Sequence, residues 1–140
     1  MPVGRLFYSF IFLQAPLMLF SKQGIGYAAQ QGVPMAGVLV PLAGLLALAG
    51  GLSVLLGYRA RIGAGMLVLF LVPVTLKMHA FWAASDPMTA QMQLIHFMKN
   101  LCLLGMALVI AHVGSGPVSL DERAGARVGR AGDALVPSAA

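Results

Sequence analysis

Four long apolar runs alternate with short polar segments along the chain. The runs cover residues about 3–20, 34–57, 62–84 and 88–113. A helix needs about 20 apolar residues to cross a hydrocarbon core of about 30 Å, because it rises about 1.5 Å per residue. Each run is therefore predicted to be a membrane-spanning helix. The predicted fold class is an all-α, integral membrane four-helix bundle formed by residues 1–113.

Two polar segments complete the predicted architecture. Residues 21–32 are too polar to span a membrane, and they fit either a short interfacial helix around Tyr27 or an ordered loop. Residues 114–140 form a short cytoplasmic tail, in which the S-x-x-E pattern of Ser119 and Glu122 predicts the start of a helix. Beyond that point Gly, Ala and Arg dominate, so we expect most of the tail to be disordered.

The composition supports a membrane protein and excludes several other classes. Of 140 residues, 59% are hydrophobic and 9% are charged, whereas a soluble domain has about 25% charged residues. The net charge of +5 comes largely from basic residues at the ends of the apolar runs. We interpret it as a topology signal and expect no nucleic-acid partner. Cys102 is the only cysteine, which excludes an intrachain disulfide and a cysteine-based metal site within one chain.

Lysine and arginine are distributed unevenly between the two predicted ends of the bundle. Six arginines share one end, namely Arg5, Arg59, Arg61, Arg123, Arg127 and Arg130. The positive-inside rule puts this end in the cytoplasm, together with both termini. The predicted location is a multi-pass position in the inner (plasma) membrane of the cell.

The hairpin between the third and fourth runs carries most of the polar residues at membrane depth. If its turn centres just after Pro87, residues equally far from the turn lie at equal depth. His79 then faces His96, and Thr75 faces Asn100. Within each helix the two polar residues are four positions apart and share a face. The hairpin is therefore predicted to bring two polar stripes together inside the bundle.

Six residues of this hairpin are candidates for a binding site: Thr75, His79, Trp82, His96, Lys99 and Asn100. Lys99 lies about 16 Å into its helix by helical rise, and a charge at that depth usually marks function. A structural hydrogen bond to a carbonyl freed by a kink is the alternative for Lys99. Lys77 is close enough to its helix end for the ammonium to reach the interface, and Trp82 also fits an interfacial anchor.

The two histidines allow three interpretations. They fit a structural pair bonded to Thr or Asn, and they also fit a proton relay or a quinone-headgroup contact, because imidazole changes charge near neutral pH. A metal site is not predicted, since no carboxylate or thiolate lies at their level. The spans contain no carboxylate, which argues against a carboxylate-driven proton pump and against acid–base hydrolysis.

At these residues the chain resembles the DoxX family of small bacterial membrane proteins. The matching segments are Gly32–Pro34, Gly50–Arg61, Gly114–Glu122, the T-x-x-x-H-x-F-W pattern from Thr75 to Trp82 and the H-F-x-K-N pattern from His96 to Asn100. The resemblance implies a four-helix inner-membrane bundle associated with redox enzymes, since relatives resemble the small subunit of thiosulfate:quinone oxidoreductase. Many relatives carry a Glu shortly before the Gly-Gly-Leu, where this chain has only apolar or small residues.

The first functional hypothesis is a redox-associated membrane subunit, non-catalytic by itself, that contacts quinone or docks a redox partner enzyme. Its six candidate residues would line the pocket, with Lys99 stabilising an anionic headgroup and a histidine exchanging a proton. The expected partners are the lipid bilayer and a redox enzyme or a second copy of the chain. The alternatives are a small transporter or channel component, in which helices kinked at Pro16, Pro41 and Pro73 open, and a structural assembly module.

Overall fold

The computed structural model describes residues 2–126, so the disorder predicted for the end of the tail concerns residues 127–140, which lie outside that range. The elements are α1 (Pro2–Leu19), α2 (Lys22–Gln30), α3 (Ala36–Leu56), α4 (Ala60–Met78), a 3₁₀ turn (Phe81–Ala83), α5 (Pro87–Val113) and α6 (120–126). The described residues are all-helical, and four helices are long and apolar enough to cross a membrane. The predicted fold class is confirmed.

The helices pack in sequence order around a main core, and a smaller apolar cluster lies under α2. α1 packs against α3, α3 against α4 and α4 against α5, while α2 lies against α3. α1 and α5 close the circle less completely and make few contacts with each other. They are joined where the Tyr8 hydroxyl donates a hydrogen bond to the Leu103 carbonyl at 3.0 Å. The core between the helices includes the buried side chains of Phe12, Leu67 and Leu71.

Small residues bring α3 and α4 into backbone contact. A Cβ added to Gly50 would lie 2.9 Å from the Gly63 carbonyl oxygen and 2.8 Å from Leu67 Cδ2. A Cβ on Gly63 would in turn collide with the Ser53 side chain. Membrane helices associate by such close packing, because lipid tails are as apolar as the helix surfaces and no hydrophobic drive remains between helices.

The third span differs from its predicted form near the turn that precedes α5. The sequence predicts helix to residue 84, but α4 ends at Met78 and His79 adopts a non-helical conformation with φ −124° and ψ 41°. The rings of Phe81, Trp82 and Phe97 pack edge to face with centroids 5.1–5.9 Å apart, which holds the 3₁₀ turn against α5. Over so few residues, the apolar pattern of the sequence does not distinguish a continued α-helix from a 3₁₀ turn.

Asp86 begins α5 as an N-cap. Its carboxylate accepts hydrogen bonds from the Thr89 backbone N–H at 2.8 Å and the Thr89 hydroxyl at 3.0 Å. The backbone N–H contributes most to lowering the pKa of the Asp86 carboxyl, because it stabilises the charged form. Pro87 follows at the first helical position, where its missing donor costs nothing.

At the opposite end of the bundle, the segment after α5 folds back over the α3–α4 turn. The Asp121 carboxylate accepts from the backbone N–H groups of Arg59 at 2.8 Å and Ala60 at 3.4 Å. These bonds, with that of Arg59 foremost, lower the pKa of the Asp121 carboxyl. Ser119 Oγ accepts from the Glu122 N–H at 3.2 Å, so the helix start predicted from the S-x-x-E pattern is confirmed.

Arg5 of α1 is buried beneath the same segment. Its Nη2 donates to the Val118 carbonyl at 2.6 Å, whereas its Nε and Nη1 are buried without a hydrogen-bond partner in the described chain. The guanidinium also lies against Gly57, at the C-terminal end of α3. A cation is favourable there because the helix dipole places partial negative charge at that end.

Candidate functional site

The bundle contains an open cavity of about 1130 Å³ between α1, α3, α4 and α5, with α2 across one end. Most of its wall is apolar, contributed by residues such as Leu46, Phe70 and Leu103. Eight polar or titratable residues also line it: Gln14, Tyr27, Lys77, His79, Gln93, His96, Lys99 and Asn100. Ligand cavities combine an apolar wall with a few convergent polar groups in this way.

The structure brings four of the six predicted site residues to this cavity. They are His79, His96, Lys99 and Asn100. Thr75 is buried in the bundle but does not line the cavity, and Trp82 lies outside it with 59% of its surface exposed. The end of α4 at Met78 explains the position of Trp82, because the indole no longer follows the helical stripe that contains Thr75.

The two histidines meet across the hairpin as the sequence predicts. Their imidazole rings stack with centroids 5.2 Å apart and an interplanar angle of 26°. This pairing is set by the register of the α4–α5 hairpin, in which the turn at Pro87 lies midway between them. The arrangement puts two imidazole rings at one end of a largely apolar cavity.

A hydrogen-bond chain fixes the orientation of His79. Gln93 Oε1 lies 2.8 Å from His79 Nδ1, and Gln93 Nε2 donates to the Tyr27 hydroxyl at 3.1 Å. In this amide orientation the oxygen of Gln93 can only accept, so His79 carries its hydrogen on Nδ1 and presents Nε2 as an acceptor. The Tyr27 oxygen accepts from Gln93, which leaves its own O–H to donate. The chain therefore presents both an acceptor and a donor.

Tyr27, Lys77 and Gln93 are site residues that the sequence prediction did not include. Gln93 lies three positions before His96, on the face of α5 that also carries Asn100, and that position was the signal that could have identified it. Tyr27 is brought in by α2, whose helical form the sequence left open. On an ideal helix Lys77, two positions before His79, would point away from it, but His79 leaves helical geometry after Met78. Both side chains can then line the same cavity.

The two sides of the cavity are closed to different degrees. α2 packs closely over one end, where Gly24 touches the Met18 carbonyl and Ala28 and Val40 form an apolar cluster beneath it. On another side, residues of α1 and α5 such as Gln14 and Lys99 border the cavity where these helices make few contacts. We expect that side to face the lipid, because α1 and α5 are both long and apolar enough to span a membrane.

The fold and cavity define a class: a small multi-pass membrane protein with a polar site inside an apolar cavity. The chain belongs to the SURF4 family, whose family model matches residues 34–125. It is similar to the inner membrane protein YphA of Escherichia coli (strain K12), with 25% identity over 114 residues that cover 81% of each chain. This likeness supports the predicted inner-membrane location. No solved structure matches the chain.

The predicted membership of the DoxX family is wrong, because the family model that matches residues 34–125 is that of the SURF4 family. The motifs behind that resemblance are short. Glycines such as Gly50 serve close helix packing, and a polar hairpin such as His79–His96 serves an internal cavity, so neither specifies one family. The redox association was implied by that resemblance, so only the chemistry of the cavity can now support it.

Proposed function

We propose that this protein binds a lipid-soluble molecule with a hydrogen-bonding headgroup, and that the molecule is a quinone. In this proposal the protein is a non-catalytic membrane subunit that presents the quinone to a redox partner enzyme. The observation that carries the proposal is the His79–Gln93–Tyr27 chain at the polar end of a largely apolar cavity of about 1130 Å³.

The hydrogen-bonding groups suit both forms of a quinone headgroup. An oxidised quinone offers carbonyl oxygens, which accept from the Tyr27 hydroxyl or a lysine ammonium. A reduced quinone offers hydroxyl groups, which can donate to His79 Nε2. A histidine exchanges protons near neutral pH, so His79 or His96 would move the proton that accompanies reduction. The electrons would come from the partner enzyme.

The proposed orientation keeps the positive-inside rule. Arg5, Arg59 and Arg61 would lie at the cytoplasmic end together with both termini. The histidine pair and α2 would then lie in the outer half of the membrane. A lipid-soluble ligand would reach the cavity sideways, through the side bordered by α1 and α5.

The test is the quinone content of protein purified with its native lipids. We expect quinone in the wild type and in Trp82→Phe, whose side chain lies outside the cavity. The double variant His79→Ala/His96→Ala should lose it. Wild-type protein without quinone, or equal quinone in the double variant, would contradict the proposal.

A transport role is the second candidate. It is favoured by Pro73, which lies inside α4 in the wall of the cavity, where the broken hydrogen-bond ladder lets a helix bend. Solute uptake into proteoliposomes that contain only this protein would support transport, and a quinone-binding subunit should not catalyse it.

A further inference from the structure

Two lysines line the cavity with no acidic side chain beside them. Lys77 of α4 and Lys99 of α5 both border it, and among the described residues none of those lining the cavity is Asp or Glu. α5 begins at Pro87, and a helical rise of about 1.5 Å per residue places Lys99 about 18 Å along it. Cations at such depth usually pair with an anion or face a wet cavity. The described part of the chain therefore supplies no counter-charge within this cavity.

The two lysines also lie at similar depth on facing helices. The stacked rings of His79 and His96 give the register of the hairpin. Counted away from the turn, Lys77 is two residues beyond His79 and Lys99 is three beyond His96, which correspond to about 3 Å and about 4.5 Å of helical rise. The cavity therefore collects two lysine side chains next to two imidazoles, and no acidic side chain lines it among the described residues.

We propose that the cavity also binds an anionic single-chain amphiphile, with its acid headgroup between Lys77 and Lys99 and its chain along the apolar wall. The acid is a carboxylate or a phosphate monoester, because an ammonium binds both as a point charge. The inference shares its cavity with the proposed quinone function, but it rests on the two lysines, whereas the quinone proposal rests on the His79–Gln93–Tyr27 chain.

The volume and the apolar wall of the cavity indicate what the rest of the ligand is. A volume of about 1130 Å³ slightly exceeds the ~300–1,000 Å³ of common ligand pockets, which leaves room for one chain beside a headgroup. The apolar residues offer no donors to a free inorganic anion, and such an ion would lose its hydration without replacement. An amphiphile instead buries its chain and brings only its headgroup to the lysines.

The experiment measures equilibrium binding to the full chain in nanodiscs of zwitterionic phosphatidylcholine. The probes are oleate, monooleyl phosphate, the uncharged match oleyl alcohol, and inorganic phosphate. We expect the wild type to prefer both anionic amphiphiles over oleyl alcohol by about tenfold, the scale of one charge-assisted hydrogen bond. Equal binding of oleate and oleyl alcohol would overturn the inference. So would inorganic phosphate that displaces oleate at similar concentration, because the chain would then contribute nothing.

The variants assign the headgroup to the two lysines. Lys77→Met and Lys99→Met should each remove most of the preference for the anion, whereas Lys99→Arg should keep it. Lys22→Met is the matched control, because Lys22 is exposed at the start of α2 and does not line the cavity. A preference unchanged in both methionine variants would overturn the inference. Size-exclusion elution and thermal unfolding identify any variant that is misfolded. If a methionine variant is misfolded, Lys99→Arg is the test: a retained preference for the anion supports the inference, and a lost preference in folded protein contradicts it.

Quinone content measured in the same preparations separates the two proposals. Quinone lost from His79→Ala/His96→Ala, with no anion preference in any sample, would leave the quinone function standing and remove this inference. An anion preference that depends on the lysines, in protein that never carries quinone, would support this inference and contradict the quinone function.

Discussion

His79 and His96 stack across the α4–α5 hairpin, with ring centroids 5.2 Å apart and planes inclined by 26°. Only His79 of this pair also takes part in the chain that runs through Gln93 to Tyr27 on α2. The stack therefore connects α4 and α5, and the chain adds α2. A change at any member should affect both the orientation of the imidazoles and the closure of the cavity.

Tyr27→Phe should loosen α2. The change removes the hydroxyl that accepts from Gln93 Nε2 at 3.1 Å, and loss of one such bond costs about 1 kcal/mol. We expect faster amide hydrogen exchange across α2, measured by mass spectrometry. Tyr58→Phe is the control, because Tyr58 is 53% exposed beyond the end of α3. Equal exchange in the two variants would mean that the bond does not hold α2.

Gly63→Ala should destabilise the bundle by about 1–3 kcal/mol, the usual cost of overpacking. The new methyl group would collide with the Ser53 side chain at the α3–α4 contact. Gly65→Ala is a matched control on the same helix, since a Cβ there meets nothing within 4 Å. Thermal unfolding in detergent should show a lower midpoint for Gly63→Ala only. Similar midpoints for the two variants would contradict the close approach of α3 and α4.

Asp121→Asn should lower stability at neutral pH by about 0.5–1.5 kcal/mol, the net range for one hydrogen bond. Asp121 accepts through both carboxylate oxygens, and the amide of Asn has only one oxygen that can accept. The pKa of Asp121 is lowered in the folded protein, so its contribution is present above the ordinary value of 3.8 and disappears as the pH falls through the folded value. The difference in unfolding temperature between wild type and variant should therefore shrink below pH 3.8.

The control for Asp121 is Glu122→Gln in the same turn. Its amide oxygen can still accept from the Val118 N–H, which lies 2.9 Å from Glu122 Oε2 in the wild type. We expect its unfolding temperature to stay near that of the wild type at pH 7. A difference between wild type and Asp121→Asn that is independent of pH would show that the charge of Asp121 contributes nothing.

A cysteine at position 14 should react from the lipid side. Gln14 borders the cavity on α1, where α1 and α5 make few contacts. In a Cys102→Ser background, Gln14→Cys should react faster with a lipid-soluble maleimide than with a charged one. Ser85→Cys, in the exposed turn before α5, should react readily with the charged reagent. Rapid reaction of Gln14→Cys with the charged maleimide would mean that the cavity opens to water.

The sequence by itself determined the spans, the hairpin register and one cap. Long apolar runs can cross a bilayer only as helices, since every backbone polar group must be satisfied within the segment. The turn at Pro87 then places His79 opposite His96. The S-x-x-E pattern of Ser119 and Glu122 predicts the start of the helix after α5. These features depend on neighbours along the chain, so local pattern is sufficient to predict them.

Only the tertiary structure decided which residues line the cavity. In a membrane the core and the lipid are both apolar, so periodicity does not separate Leu67, which is 0% exposed, from Leu69, which is 66% exposed. The end of α4 at Met78 moved Trp82 out of the site and allowed Lys77 into it. Tyr27 joined through the packing of α2. Each of these outcomes depends on contacts between distant segments, which no local pattern contains.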